Sequence, residues 1–154
     1  MLSDTDIQAL IEDVKPLSST ILKEIHLKNK ENRAYKEYEL EVKSKSGKIF
    51  RIRIRANTIN IMDFSVILIY VDENKKYHII RRYNGKHSHK NQIEKDKFRD
   101  FHIHKATQRY PDAGFRIDGY AEITDSYNNW KDALTIMLKE CNFKGDMCLF
   151  NSFN

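Results

Sequence analysis

Residues 35–57 limit the fold of this chain more than any other segment, because "YKEYELEV" and "IFRIRIRA" read as two strands made for each other. In the first, Tyr38, Leu40 and Val42 alternate with Glu37, Glu39 and Glu41; in the second, Phe50, Ile52 and Ile54 alternate with Arg51, Arg53 and Arg55. Alternation with period two sends one set to each face of a sheet. A turn through "SKSG", with Gly47 left-handed in a three-residue loop, pairs residues whose numbers sum to 92. Glu41 then faces Arg51, Glu39 faces Arg53 and Glu37 faces Arg55, while the apolar residues meet on the other side. The arginine row alone looks like a nucleic-acid stripe. Its matched glutamates make it a solvent-facing charge ladder, so these arginines are read as structural.

The remaining elements are arranged around that hairpin. Ser3 or Thr5 caps an N-terminal helix with Asp4 and Asp6 in its first turn and Ile7, Leu10, Ile11 and Val14 at helical spacing. Pro16 breaks or restarts it before "LSSTILKEIHL", where His26 is read as a surface or helix-end residue. "DFSVILIYVD" is apolar on both faces and is expected to be a central, doubly covered strand. "YHIIRRY" returns as a second hairpin with His78 packed inside it, "NGKHSHKNQIEKDK" is a polar loop, and "FRDFHIH" is a short strand. A helical turn at "ATQRYPDAG" and an extended "FRIDGYAEIT" follow. The last helix, capped by Thr124 or Asp125, carries Trp130, Ala133, Leu134, Met137 and Leu138 as its apolar stripe. The expected class is α+β: an antiparallel four- to five-stranded sheet with the N-terminal and C-terminal helices packed on one face. One domain over 1–154 is expected, with a helical start at 1–30, the sheet at 36–104 and the final helix at 124–143.

Bulk properties narrow the setting. At 154 residues, 40% hydrophobic and 32% charged, the chain has the size and composition of one soluble globular domain. It has no apolar run of membrane-spanning length and no signal-peptide pattern, so a cytoplasmic location without a membrane partner is expected. Cys141 and Cys148 are then buried or free thiols, not a disulfide; the apolar "MCLFNSF" at 147–153 docks on its own core or on a second copy. Residues 1–74 balance 12 basic against 12 acidic side chains, and residues 75–111 carry 11 against 3. Positive charge concentrated in this way attracts polyanions, RNA or DNA first.

Four of the six histidines lie in that basic segment as two H-x-H pairs, His87 with His89 and His102 with His104. On a strand, residues two apart share a face at about 6–7 Å, so His102 and His104 converge while Phe101 and Ile103 turn to the core. Three chemistries remain open. Imidazoles from the strand and the loop can bind zinc, with Asp100 or Glu122 beside them. His102 and His104 can instead act as base and acid in metal-independent RNA cleavage, with Lys105 and Arg109 on the phosphate and Tyr110 as donor or stacking platform. Arg81, Arg82, Lys86 and Lys90 complete the basic surface for RNA. Cleavage of this kind needs no cofactor and no metal. Third, the same surface can bind nucleic acid or an acidic protein without catalysis, as an inhibitor of a nucleic-acid-handling complex does.

"RRYNGKHSHKN" followed by "DFHIHKATQRY" resembles the TumE-type toxin components of bacterial toxin–antitoxin loci over residues 76–110. The resemblance implies a growth-inhibiting toxin that acts on RNA and is neutralised by a cognate antitoxin; with the paired histidines the expected activity is that of an endoribonuclease, and the expected partners are RNA and that antitoxin or another protein. By matching position it points to His87, His89, His102 and His104, with Arg82 and Asn84 at the strand end.

Overall fold

The structure, a computed structural model, describes residues 1–18, 20, 25, 28, 29 and 34–145. His26, Cys148 and the 147–153 segment lie outside the described residues. In chain order the elements are α1 (Asp4–Glu12), β1 (Lys15–Pro16), β2 (Lys28–Asn29), β3 (Tyr35–Lys43), β4 (Ile49–Asn57), β5 (Phe64–Val71) and β6 (Tyr77–Asn84). Then come β7 (His89–Lys90), β8 (Lys97–Phe98), β9 (His102–Lys105), α2 (Arg109–Asp112), β10 (Ala121–Ile123), α3 (Trp130–Glu140) and β11 (Phe143–Lys144). An antiparallel sheet of seven strands runs β10-β9-β6-β5-β4-β3-β2. Its long members are consecutive hairpins, and short edge strands extend the four to five strands expected.

The founding hairpin has the register its sequence requires: Glu41 pairs with Arg51, Glu39 with Arg53 and Glu37 with Arg55. Gly47 sits at φ +88°, a conformation glycine adopts without a Cβ penalty, and Ser44 and Lys48 close the loop. Arg51 reaches Glu39 at 2.9 Å and Arg55 reaches Glu37 at 2.9 Å, forming the ladder. Strand β5 occupies the middle of the sheet. Its Phe64, Val66 and Leu68 join Phe50, Ile52, Ile54, Ile80 and Tyr83 in one core with α1 and α3. Burial of each such side chain contributes about 1.5–3 kcal/mol. Ile67 and Ile69, on the opposite face, are also buried, but they pair with Arg53 and Arg51 and lie outside that core. The second cover on β5 is therefore not a helix layer; the apolar stems of long charged side chains suit this position.

Helix α1 starts at a capping box in which Ser3 accepts from the Asp6 amide and the Asp6 carboxylate accepts from the Ser3 amide. It ends at Glu12, and the chain turns extended at Lys15–Pro16, so the helical start is shorter than 1–30 among the described residues. Lys15 is fully buried and its ammonium donates to the carbonyls of Leu10 (2.7 Å), Ile11 (3.1 Å), Asp13 (2.8 Å) and Cys141 (2.8 Å). Burial pulls it down to about 8, which leaves it charged at neutral pH. It ties the last turn of α1 to the end of α3, where β1 pairs in parallel with β11. Helix α3 begins at Trp130, capped by Asn129 accepting from the Asp132 amide, not by Thr124 or Asp125. Asn142, at φ +61°, follows its end, a left-handed position that Asn tolerates.

Candidate functional site

The face of the sheet away from the helices carries the histidines. Residues two apart on β9 share it: His104 lies beside Arg82, and His102 beside Asn84. Ile103 points the other way into the core and Phe101 packs against that core. The loop from β6 to β9, folded as the small β7–β8 hairpin, brings His87 and His89 over the same spot. Ring centres lie 5.0 Å apart for His102 and His104, 4.6 Å for His89 and His104, 5.5 Å for His89 and His102, and 6.3 Å for His87 and His102. All four histidines of the two pairs meet.

Each ring donates through one nitrogen. Nδ1 of His102 donates to the Asp100 carbonyl at 2.7 Å, and Nδ1 of His104 donates to the Asp118 carbonyl at 2.8 Å. Nε2 of His89 donates to Oδ1 of Asn91 at 2.9 Å, whose amide is itself fixed by the Ala121 N–H and carbonyl. Nε2 of His87 donates to the Asp63 carboxylate. Asp63 loses basicity despite its burial, because His87, Asn57 and Tyr35 all hydrogen-bond to it and hold its carboxyl below the ordinary range. In the neutral rings this leaves Nε2 of His102 and His104 and Nδ1 of His87 and His89 as lone-pair atoms. Asn84 Nδ2 lies 3.5 Å from Nε2 of His102, its oxygen taken by Ser65 at 2.7 Å. Among the described residues no group of three or more His, Cys, Asp and Glu side chains is arranged so that it could hold a metal ion.

Burial separates the four into two kinds. His102 is 1% exposed and His104 4%. Burial, with neighbouring imidazoles adding to it, pushes His102 down to about 4 and His104 down to about 3. Both are neutral at pH 7 and cannot supply a proton there, which corrects the expectation that they form the acid–base pair. His87 and His89 are partly exposed on the loop. His89 lines an open pocket of about 490 Å³ with Ser88, Lys90, Lys97, Phe98 and Arg99. Lys86, Arg99, Asp100, Asn60 and Met62 line a second of about 390 Å³, so Arg99 is common to both.

The basic residues divide as sharply. A β-bulge between Leu68 and Ile69 resets the β5–β6 register and pairs Arg81 with Leu68 on the helix side of the sheet. There Arg81 bonds the Tyr83 hydroxyl and lies 3.9 Å from Glu140. Lys105 is on that side too, ion-paired with Glu122 at 2.8 Å. Arg82 is on the histidine face but is held by the buried Asp118 at 3.0 Å. Arg109 is paired with Glu94 at 2.9 Å, and Tyr110 is 0% exposed with its hydroxyl donating to Glu94, leaving no ring face for a base. These five are therefore not the expected free contacts. Lys86 and Lys90, with Lys97 and Arg99, make no ion pair among the described residues and rim the histidines.

Sequence reading missed Asp63, Asn91, Tyr127, Lys97 and Arg99 as parts of this site. Tyr127 is buried, and its hydroxyl donates to the carbonyls of Asn84 (2.8 Å) and His102 (2.9 Å), pinning two strands beneath the cluster. The high charge of 75–111 was a usable signal for Lys97 and Arg99; no local pattern marks the others. His78 is tied to Asp72 at 2.8 Å and stacks on Tyr70, as a packed strand residue does. Cys141 is a buried free thiol whose pKa burial pushes up. No helix among the described residues is long and apolar enough to cross a membrane. Comparison of the chain with family models, curated proteins and solved structures returned no match.

Proposed function

We propose that this protein is an endoribonuclease that cleaves RNA by proton transfer through His87 and His89. The observation that carries it is one arrangement: two partly exposed imidazoles, oriented by a carboxylate and by an amide oxygen, on a loop whose Lys86, Lys90, Lys97 and Arg99 make no ion pair among the described residues. Nδ1 of His89 takes the proton of the 2′-hydroxyl, which attacks phosphorus. His87, held against Asp63, protonates the departing 5′-oxygen, giving a 2′,3′-cyclic phosphate and a 5′-hydroxyl. Lys86 and Arg99 are suited to the charge that builds on the phosphorane. His102 and His104 form the neutral bed on which the loop histidines rest. No step passes through a metal.

The test is cleavage of RNA in EDTA, with products read by mass spectrometry. His87→Ala and His89→Ala should each lower the rate by about 10²–10⁴-fold at unchanged RNA affinity. A DNA copy, lacking the 2′-hydroxyl, should bind and stay intact. Equal rates for wild type and both variants, or intact RNA throughout, would reject this chemistry and leave the rim as a binding surface. The resemblance of residues 76–110 to TumE-type toxins supports placing the activity in a toxin–antitoxin pair. Inducing wild type and the His87→Ala/His89→Ala variant in bacteria tests that: growth arrest with fragmented RNA is expected of the wild type alone.

A further inference from the structure

We propose that a cavity at the far end of β6 holds an unpaired nucleobase of the RNA against Tyr77 and Phe115, so that the substrate is single-stranded. This deepens the functional reading: it rests on RNA as the ligand and not on the histidine chemistry. Among the described residues two aromatic side chains are exposed, Tyr77 at 44% and Phe115 at 38%. Both line one cavity of about 410 Å³, with Lys76, Ile79, Arg116 and Asp118 in its walls. A volume of this order accepts a single nucleotide.

The walls are ordered before any ligand arrives. Strand β6 pairs with β5 along its length but with β9 only over Arg81–Asn84, so Tyr77, His78 and Ile79 border the cavity on an open edge. Across from them, the Phe115 amide donates to the Tyr110 carbonyl at 2.9 Å and the Thr107 amide to the Ile117 carbonyl at 3.1 Å. Each exposed ring is backed by one neighbour: the Arg51 guanidinium lies 5.3 Å from the Tyr77 ring centre, and Tyr110 lies 5.9 Å from Phe115. Platforms already held in place bind a base at small entropic cost.

The charges suit a polyanion. Lys76 makes no ion pair among the described residues. Asp118 is shared between Arg82 at 3.0 Å and Arg116 at 3.5 Å, so one buried carboxylate faces two guanidinium groups. His78 is tied to Asp72, whose other oxygen accepts from the Asn74 and Lys76 amides. Lys76 and Arg116 are left to meet phosphate. The cavity also continues the histidine face. Tyr77 pairs with Val71 and Arg82 with Ile67, alternate residues of β5, so Tyr77 lies on the side that carries His102 and His104. Asp118 joins the two regions, since its carbonyl accepts from His104 at 2.8 Å and it lines the cavity. From Tyr77 to Asn84 the strand spans about 20 Å, farther than a dinucleotide reaches. RNA cut at His87 and His89 places a base here when it is several nucleotides long and unpaired. A base inside an A-form duplex is already stacked and paired.

The experiment is fluorescence anisotropy with a labelled single-stranded RNA decamer and the matching duplex, on the His87→Ala/His89→Ala chain so that the RNA stays intact. Tyr77→Ala and Phe115→Ala, each checked for native circular dichroism, should weaken single-strand binding about 10-fold and leave duplex binding unchanged. Phe115→Tyr should keep the affinity, and Lys76→Ala should lower the slope of log K against log salt by about 0.7. With His87 and His89 restored, Tyr77→Ala should slow cleavage of the decamer and cut a dinucleotide at the normal rate. Single-strand affinity within about twofold of the parent in both alanine variants overturns the site, and an equal loss for the duplex overturns the stacking. Binding that both variants weaken, with no RNA ever cut by the wild type, upholds the cavity and rejects the nuclease reading. Cleavage by the wild type with undiminished binding in both variants does the reverse. A parent chain that binds no RNA overturns both.

Discussion

Adding one methyl group at Gly85 tests how the site is built. Gly85 follows β6 where the chain runs against residues 62–64, donating to the Phe64 carbonyl at 2.9 Å, while the next amide, of Lys86, donates to the Met62 carbonyl at 2.8 Å. A Cβ at Gly85 would lie 1.9 Å from the Met62 oxygen and 2.9 Å from its carbonyl carbon. A carbon–oxygen contact needs about 3.3 Å, so the two backbones must part by roughly 1.4 Å. That separation breaks both hydrogen bonds, at about 1 kcal/mol each, and adds about 1–3 kcal/mol for overpacking. Gly85→Ala should cost about 3–5 kcal/mol and move the urea midpoint down by about 2 M. The same separation draws Asp63 away from His87, and a misplacement of about 1 Å lowers cleavage by about 10²-fold. Gly114→Ala is the control: Gly114, unlike Gly85, lies at φ +88°, and no atom is within 4 Å of the added carbon. It should cost about 1–2 kcal/mol through backbone conformation alone and leave cleavage intact. A Gly85→Ala protein within about 0.5 kcal/mol of wild type and fully active would refute the reasoning.

In chelated buffer the buried imidazoles should make stability fall in acid. Their folded pKa values lie below the ordinary 6.5, so the unfolded chain binds more protons as pH drops from 6.5 towards 4 for His102 and 3 for His104. His102 alone accounts for about 3 kcal/mol across that window, and urea midpoints in a His102→Gln variant should flatten accordingly. For RNA affinity, Lys86→Ala and Arg99→Ala should each lower the slope of log K against log salt by about 0.7, while Arg82→Ala and Arg109→Ala leave it unchanged. Fluorescence anisotropy across a salt series separates the two groups. Asp118→Asn removes the carboxylate facing Arg82 in a buried pair and should cost about 3 kcal/mol in thermal or urea unfolding.

What the sequence disclosed followed from whether the determinant was local. The β3–β4 register was readable because both strands carry strict alternation and the turn supplies a left-handed glycine. The sharing of a face by His102 and His104 followed from period two. The division of the basic residues did not, because it depends on the bulge that turns Arg81 to the helix side and on carboxylates far away in sequence. Arg82 is neutralised by a residue 36 positions on, and Arg109 by one 15 positions back. Asp63 and Asn91 orient the loop histidines only once β5 and β10 are in place, so no motif announces them. Exposure was also hidden: the histidines with the better strand pattern are the ones the fold buries.

Lys15 carries a consequence for the order in which the protein is made. Its ammonium is shared between carbonyls near it and that of Cys141, 126 residues later. Helix α1 leaves the ribosome well before the carbonyl and the strand that close around Lys15. At about 5–20 residues per second, the lysine waits on the order of 6–25 s for its final partner. Until then the sheet presents apolar residues that α3 comes to cover. During synthesis the hairpins are therefore complete before the core is sealed, and that interval is when a chaperone, or a partner of the chain, has its widest access.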